Sequence, residues 1–232
     1  MPLCNRVTPF GELIRDPARG LVYGNRGCLH DAAGEIRRPY AVRRWIACRL
    51  EFKGRRRSPL VVPGRYTELF FLDEATAFAA GHRPCAECRR EDYNRLSEVW
   101  RALHPGPAGA DAIDDVLHAE RWDPDARRPR RHPLPFADLP DGTFAVDDER
   151  AWLVRGDRLL EWTPAGYLAA RRSRPRDGTV TVLTPPSLVE VLRSGWQGDV
   201  PLLHPTADAT AEAPPLAQDD AAGGGVGDEL SV

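Results

Sequence analysis

The chain has 232 residues, 42% of them hydrophobic and 28% charged, with a formal net charge of −2. That is enough apolar material for one substantial domain or two small ones, and no apolar run approaches the roughly 18 residues a membrane-spanning helix needs. Met1 to Arg6 does not read as a leader, so a soluble cytoplasmic protein is expected, and its five cysteines favour metal binding or free thiols over a disulfide framework.

The charge is unevenly spread. Nine Arg and Lys53 face three acids between Arg26 and Arg57, whereas six acids and no base follow Thr206. Lys53 is the only lysine, and such a bias, alongside much Ala, Pro and Asp, points to a GC-rich coding background. Arginine abundance alone therefore does not establish a nucleic-acid partner.

In chain order, Gly24 to His30 leads into a turn at Asp31 to Gly34, predicting a hairpin. Arg44 to Phe52 alternates as a half-buried strand, with Ile46, Cys48, Leu50 and Phe52 on one face and Trp45 on the other. A basic loop from Lys53 to Arg57 precedes a second strand at Tyr66 to Phe71. Asp73 is placed to cap a short helix that closes at Gly81. A second helix is predicted from Glu91, with Tyr93, Leu96, Trp100 and Leu103 as its apolar stripe. Residues 104 to 135 show little periodicity apart from Val116 to Arg121. Short strands follow at Thr143 to Val146, Ala151 to Arg155, Leu159 to Trp162 and Thr179 to Leu183, the middle two joined at Gly156-Asp157. Ser187 to Glu190 reads as a capping box for a helix closing at Gly195.

The chemistry concentrates at Cys85-Ala86-Glu87-Cys88. Two thiols with two residues between them form a zinc knuckle, able to place both sulfurs on one tetrahedral ion at about 2.3 Å. Cys48, on its nearby strand, is the third candidate, and the fourth is Cys28 or else Cys4, with His30 and His82 as further possible ligands. A separate group, His118, Glu120, Arg121 and His132, can be read as a nuclease-like site if His118 and Glu120 share one face of a strand. Arg43, Arg44, Arg49, Lys53, Arg55, Arg56 and Arg57 interleave with Trp45 and Tyr66, a mixture suited to phosphates and bases. Walker, dinucleotide-binding, nucleophile-elbow and His-Glu-x-x-His patterns do not occur.

Leu72 to Arg89, ending in Gly81-His82-Arg83-Pro84-Cys85-Ala86-Glu87-Cys88, resembles the second half of the zinc-binding domain of the Ada DNA-repair family. Trp45-Ile46-Ala47-Cys48 is similar to that family's strand bearing the first cysteine. The resemblance covers roughly residues 42 to 92. It implies zinc held by four thiolates, with Cys48 at the methyl-accepting, catalytic position and Cys85 and Cys88 as the last two ligands. Phe52 stands where the family has its second cysteine, so Cys28 is expected to complete the set, and no helix-turn-helix follows.

The expected fold is α+β. A small zinc-binding strand-helix domain with a knuckle spans 1–104, a linker or insertion 105–135, a β-rich unit with one helix 136–205, and a disordered acidic tail 206–232. The expected function is zinc-dependent nucleic-acid binding, with DNA the expected partner and repair the expected setting. The alternatives are a methyl-accepting enzyme using Cys48, a metal-dependent nuclease, and a structural zinc module for protein interaction.

Overall fold

The computed structural model describes residues 1–55 and 58–208, and the architecture is mixed α+β. The first sheet contains β1 (Cys4–Val7), β2 (Leu13–Arg15), β3 (Val22–Asn25), β4 (Ile46–Cys48), β5 (Leu69–Phe71) and, after helix α1 (Glu74–Ala79), β6 (Arg83–Pro84), in the spatial order β2-β1-β5-β3-β4-β6. Helices α2 (Arg90–Leu103) and α3 (Ala110–Arg121) follow, then the small hairpin of β7 (Trp122–Asp123) and β8 (Arg128–Pro129). The second sheet is built from β9 (His132–Pro135), β10 (Phe144–Asp147), β11 (Arg150–Arg155), β12 (Arg158–Thr163), β13 (Gly166–Ser173) and β14 (Thr179–Val182), ordered β13-β12-β11-β10-β14-β9, and helix α4 (Pro186–Arg193) closes the fold.

Helix α1 is the wedge between the sheets. Leu72, Ala75 and Ala79 pack with Phe144, Leu153, Leu160 and Tyr167 of the second sheet. Ala77 and Ala80 face Val22, Leu69 and Phe71 of the first. Phe78 joins Leu96 and Trp100 of α2, Ile113 and Leu117 of α3, and Leu188 and Val191 of α4. All six α1 residues are buried, and each large side chain taken wholly out of water contributes about 1.5–3 kcal/mol. Asp73 caps the helix as expected, accepting from the Thr76 N–H at 2.8 Å. Its other oxygen accepts from the Tyr167 hydroxyl at 2.7 Å and the His204 N–H at 2.9 Å, so one carboxylate ties α1 to β13 and to the C-terminal segment.

Several expectations need correction. The strand expected over 44 to 52 pairs only at Ile46–Cys48, and Leu50 is exposed. The turn at Asp31 to Gly34 is present, but its hairpin is one bridge, His30 to Ile36, with the Asp31 carboxylate accepting from the Ala33 and Glu35 N–H groups. Segment 105–135 carries α3, the β7-β8 hairpin and β9, because Ile113 and Leu117, four residues apart, seat α3 in the core. Helix α4 starts at Pro186, one residue before the expected cap. Glu120 takes the capping role instead, accepting from the Ser187 N–H at 3.1 Å and the Ser187 hydroxyl at 2.6 Å. The acidic tail lies outside the described residues except for Thr206 to Asp208, which form part of a 3-10 turn and an ion pair to Arg155.

Candidate metal centre

The thiol group arises from a parallel pairing. Strands β4 and β6 run alongside each other with Ile46 opposite Arg83 and Ala47 opposite Pro84. The Cys85 N–H donates to the Ala47 carbonyl at 2.9 Å, which continues the ladder one residue and sets Cys85 beside Cys48. Beyond it the chain turns into α2, the Glu87 N–H donating to Cys85 Sγ at 3.4 Å and the Arg89 N–H to the Cys85 carbonyl at 3.1 Å. This turn returns Cys88 to the same place. The sulfurs of Cys48, Cys85 and Cys88 all lie within 4.8 Å of one another. Sulfurs on a tetrahedral zinc ion, with bonds of about 2.3 Å, are separated by about 3.8 Å, so the three donors fit such an ion.

The electrostatics fit as well. Hydrogen bonds from Cys48 and then Cys88 pull the Cys85 thiol down to about 2, favouring a thiolate there. With that charge in place, the hydrogen bond to Cys85, the one to Cys88 and burial push the Cys48 thiol far above its ordinary range. Three buried thiols at this spacing cannot all ionise on their own. A divalent cation held among them would let them ionise together.

Among the described residues the group contains no fourth Cys, His, Asp or Glu. Cys28 lies apart from it, its thiol donating to the His30 carbonyl at 3.6 Å. Cys4 donates to the Leu13 carbonyl at 3.5 Å. His30 bonds Thr67 Oγ1 at 2.7 Å and the Val62 carbonyl at 3.1 Å, and His82 donates from Nδ1 to the Ala80 carbonyl at 3.0 Å. Each alternative ligand is thus held elsewhere, by short-range contacts invisible in cysteine or histidine spacing.

What adjoins the thiols instead is a pocket of about 620 Å³. Phe52, Tyr23 and Phe70 pack around the sulfurs, and Phe52 lines the pocket with Arg55, Arg65, Tyr66 and Glu68. Its outer wall is the loop after β4, held in an uncommon backbone. Val61 has φ of +57°, a left-handed conformation costly for a β-branched residue. It is held there by its N–H, which donates to Glu68 Oε2 at 2.8 Å.

The arginine surface is paired within the chain. Arg43 meets Asp115 at 2.9 Å, Arg44 meets Asp111 at 3.1 Å, Arg49 meets Asp199 at 2.6 Å, and Arg55 meets Glu87 at 2.6 Å. Lys53 lies over the Phe52 ring at 5.1 Å. Arg56 and Arg57 lie outside the described residues.

The nuclease-like group is not assembled. His118 and Glu120 lie on α3, not on a strand, and positions two apart on a helix point to different sides. Glu120 caps α4, Arg121 is buried with its NH1 donating to the Gly81 carbonyl at 2.6 Å, and His132 bonds the Glu120 backbone carbonyl at 2.8 Å. His118 packs against the Tyr40 ring.

Sequence reasoning missed the support behind the knuckle. Arg89, directly after Cys88, is fully buried and pairs with Glu74 at 2.5 Å and Asp92 at 2.7 Å. Asp92 also accepts the Asp199 N–H at 2.8 Å, and Arg49, bound to Asp199, donates from Nε to the Cys88 carbonyl at 3.1 Å. The segment from Trp196 to Val200 thereby straps the far end of the chain to the Cys85–Cys88 turn. Arg49 and Asp199 are 150 residues apart, and no local signal could have joined them.

No protein-family model, curated protein or solved structure matches the chain.

Proposed function

We propose that Cys48, Cys85 and Cys88 hold a zinc ion and leave one coordination position to a ligand entering from the adjoining pocket. The convergence of three sulfurs within 4.8 Å at the pocket wall carries this reading. Three protein ligands with a fourth position available is the pattern of reactive zinc sites, whereas structural sites close all four. When bound, zinc supplies Lewis acidity and keeps its thiolates ionised at neutral pH. The protein holds the sulfurs through β4, β6 and the knuckle, surrounds them with Phe52 and Tyr23, and supplies Arg65 and Tyr66 in the pocket lining as polar contacts for what enters.

A second reading is alkyl acceptance at Cys48, as the Ada resemblance implies. Cys48 meeting Cys85 and Cys88 in one group supports it, whereas Phe52, packed against the thiols where that family has a ligand, departs from the family's pattern. Nucleic acid as the source of the alkyl group is the weaker part, because Arg43, Arg44, Arg49 and Arg55 each pair with an acid of the chain, so a phosphate would compete with those exposed contacts.

Metal analysis of purified protein tests the centre. Cys48→Ser, Cys85→Ser and Cys88→Ser are each expected to lose zinc, while Cys28→Ser retains a full equivalent. Loss in Cys28→Ser would overturn the three-ligand assignment. Cobalt-loaded protein should change its visible spectrum on adding a small thiol, and no change means that the fourth position is closed. Mass spectrometry after exposure to methylated DNA reads the alkyl-accepting role as one added methyl on Cys48.

A further inference from the structure

Behind the first sheet, away from the thiols, two arginines are buried with no acid of their own. Arg26 is 2% exposed and donates from NH2 to the Gly11 carbonyl at 2.9 Å. Arg121 is 4% exposed and donates to the carbonyls of Gly81 and Arg43. Both guanidinium groups lie against the Trp45 ring, 4.6 and 4.2 Å from its centroid. Neither forms an ion pair among the described residues, and the Nε of each lacks a hydrogen-bond partner there.

The surrounding acids are taken. Asp114 is bound by both ends of the Arg83 guanidinium, at 3.0 and 2.6 Å, and Glu120 is engaged by Ser187. His82 adds no compensation, because its Nδ1 proton goes to the Ala80 carbonyl and burial, with Arg26 and Arg121 nearby, holds it neutral. Arg26, Arg83 and Arg121 against Asp114 and Glu120, whose Ser187 partner carries no charge, leave one positive charge in excess. Burial draws both Arg26 and Arg121 down to about 9, so each still carries its charge at neutral pH. The contrast with Arg89 is instructive. There two buried carboxylates share one guanidinium, and the excess is relieved by protonating Glu74, whose carboxyl is raised to about 7. A guanidinium has no such escape, and an isolated buried charge is costly.

A small recess of about 10 Å³ lies at this point, lined by Gly11, Trp45 and Arg121 with Phe10, Pro129 and Arg130. Arg26 reaches the same wall, since a Cβ on Gly11 would stand 3.9 Å from its NH1. The space suits one body the size of a water molecule or small ion. We propose that this cavity binds a single chloride-sized anion held by Arg121 and Arg26, a site distinct from the thiol centre. The anion supplies the missing countercharge behind Trp45 and so braces the β4-β6 pairing that presents the cysteines. Phosphate and sulfate are too large for the cavity.

The test is thermal unfolding of the full chain in sodium chloride against sodium gluconate at equal ionic strength. Binding to the folded state alone should raise the midpoint in chloride by roughly 5 °C or more near 100 times the dissociation constant. Bromide should reproduce the gain and sulfate should not. Equal midpoints in chloride and gluconate overturn the proposal, as does a sulfate effect matching that of chloride. Arg26→Met is expected to melt at one temperature in both salts, and a retained chloride response in it refutes the assignment. Should that variant not fold, chlorine NMR of the unaltered protein decides. Line broadening that bromide displaces is expected, and its absence overturns the site.

Discussion

Gly198→Ala is a small change that the structure makes severe. A Cβ at residue 198 would stand 2.5 Å from Glu74 Oε2 and 2.6 Å from Arg89 NH2, inside contact distance of two fully buried charged groups. Neither can swing away. Arg89 is clamped between Glu74 and Asp92, and Glu74 also accepts from the Trp196 indole at 3.4 Å. Forcing extra volume into such a site costs about 1–3 kcal/mol, rising toward about 3–5 kcal/mol if Glu74 is driven off Arg89. For a chain of this length the smaller figure is a fall of about 2–12 °C in the unfolding midpoint. Because the next residue, Asp199, holds Arg49 and through it the Cys88 carbonyl, the same variant should release zinc faster to a chromogenic chelator. A double-mutant cycle isolates the cause, since in a Glu74→Ala background the added methyl has room and its cost should shrink. A midpoint within about 1 °C of the parent protein, with unchanged zinc release, would refute the claim that the Trp196 to Val200 strap braces the knuckle.

Glu74 also sets a pH dependence. Its carboxyl is raised by burial from 4.5 to about 7, so the folded state binds this proton more tightly than the unfolded chain and the group's contribution to stability falls as pH rises across that window. The loss is up to about 3 kcal/mol, and Glu74→Gln should flatten it in urea titrations at the two ends of the window. Asp114→Ala strands the buried Arg83 beside the knuckle and should lower stability by about 3–5 kcal/mol; a loss below about 1 kcal/mol in denaturant titration speaks against a tight internal pair. Phe52→Cys, beside the three sulfurs, should tighten zinc binding in chelator competition and give cobalt-loaded protein the absorption of a four-thiolate site. Unchanged affinity and spectrum mean that residue 52 does not reach the ion.

Local rules carried the sequence reading a certain distance. Asp73 as cap, Gly81 as a left-handed terminator, the Leu96 and Trp100 stripe of α2 and the Gly156 hairpin are decided within a few residues, by hydrogen bonds and side-chain spacing the chain cannot avoid. The turn from Cys85 to Cys88 belongs to the same class, and the β4-β6 pairing sets Cys48 beside it. Such rules also misled where an element was assigned the wrong type. His118 and Glu120 share a side only on a strand, and Ile113 and Leu117 made that segment a helix.

Other features depend on contacts between distant residues. Cys28 and Cys48 look equivalent as thiols, yet only the residue beside β6 reaches the knuckle, because parallel pairing and not cysteine spacing chooses the ligand. The arginines from Arg43 to Arg55 look unpartnered in one dimension, and Asp111, Asp115, Asp199 and Glu87 arrive from later in the chain to pair with Arg43, Arg44, Arg49 and Arg55 at the surface. Likewise, Arg26 and Arg121 are ordinary arginines in one dimension and become buried cations with no ion pair among the described residues only when folded around Trp45. Composition and local spacing thus determined which residues can bind a metal or carry charge. Tertiary structure decided which of them meet, because burial and pairing belong to neighbours in space.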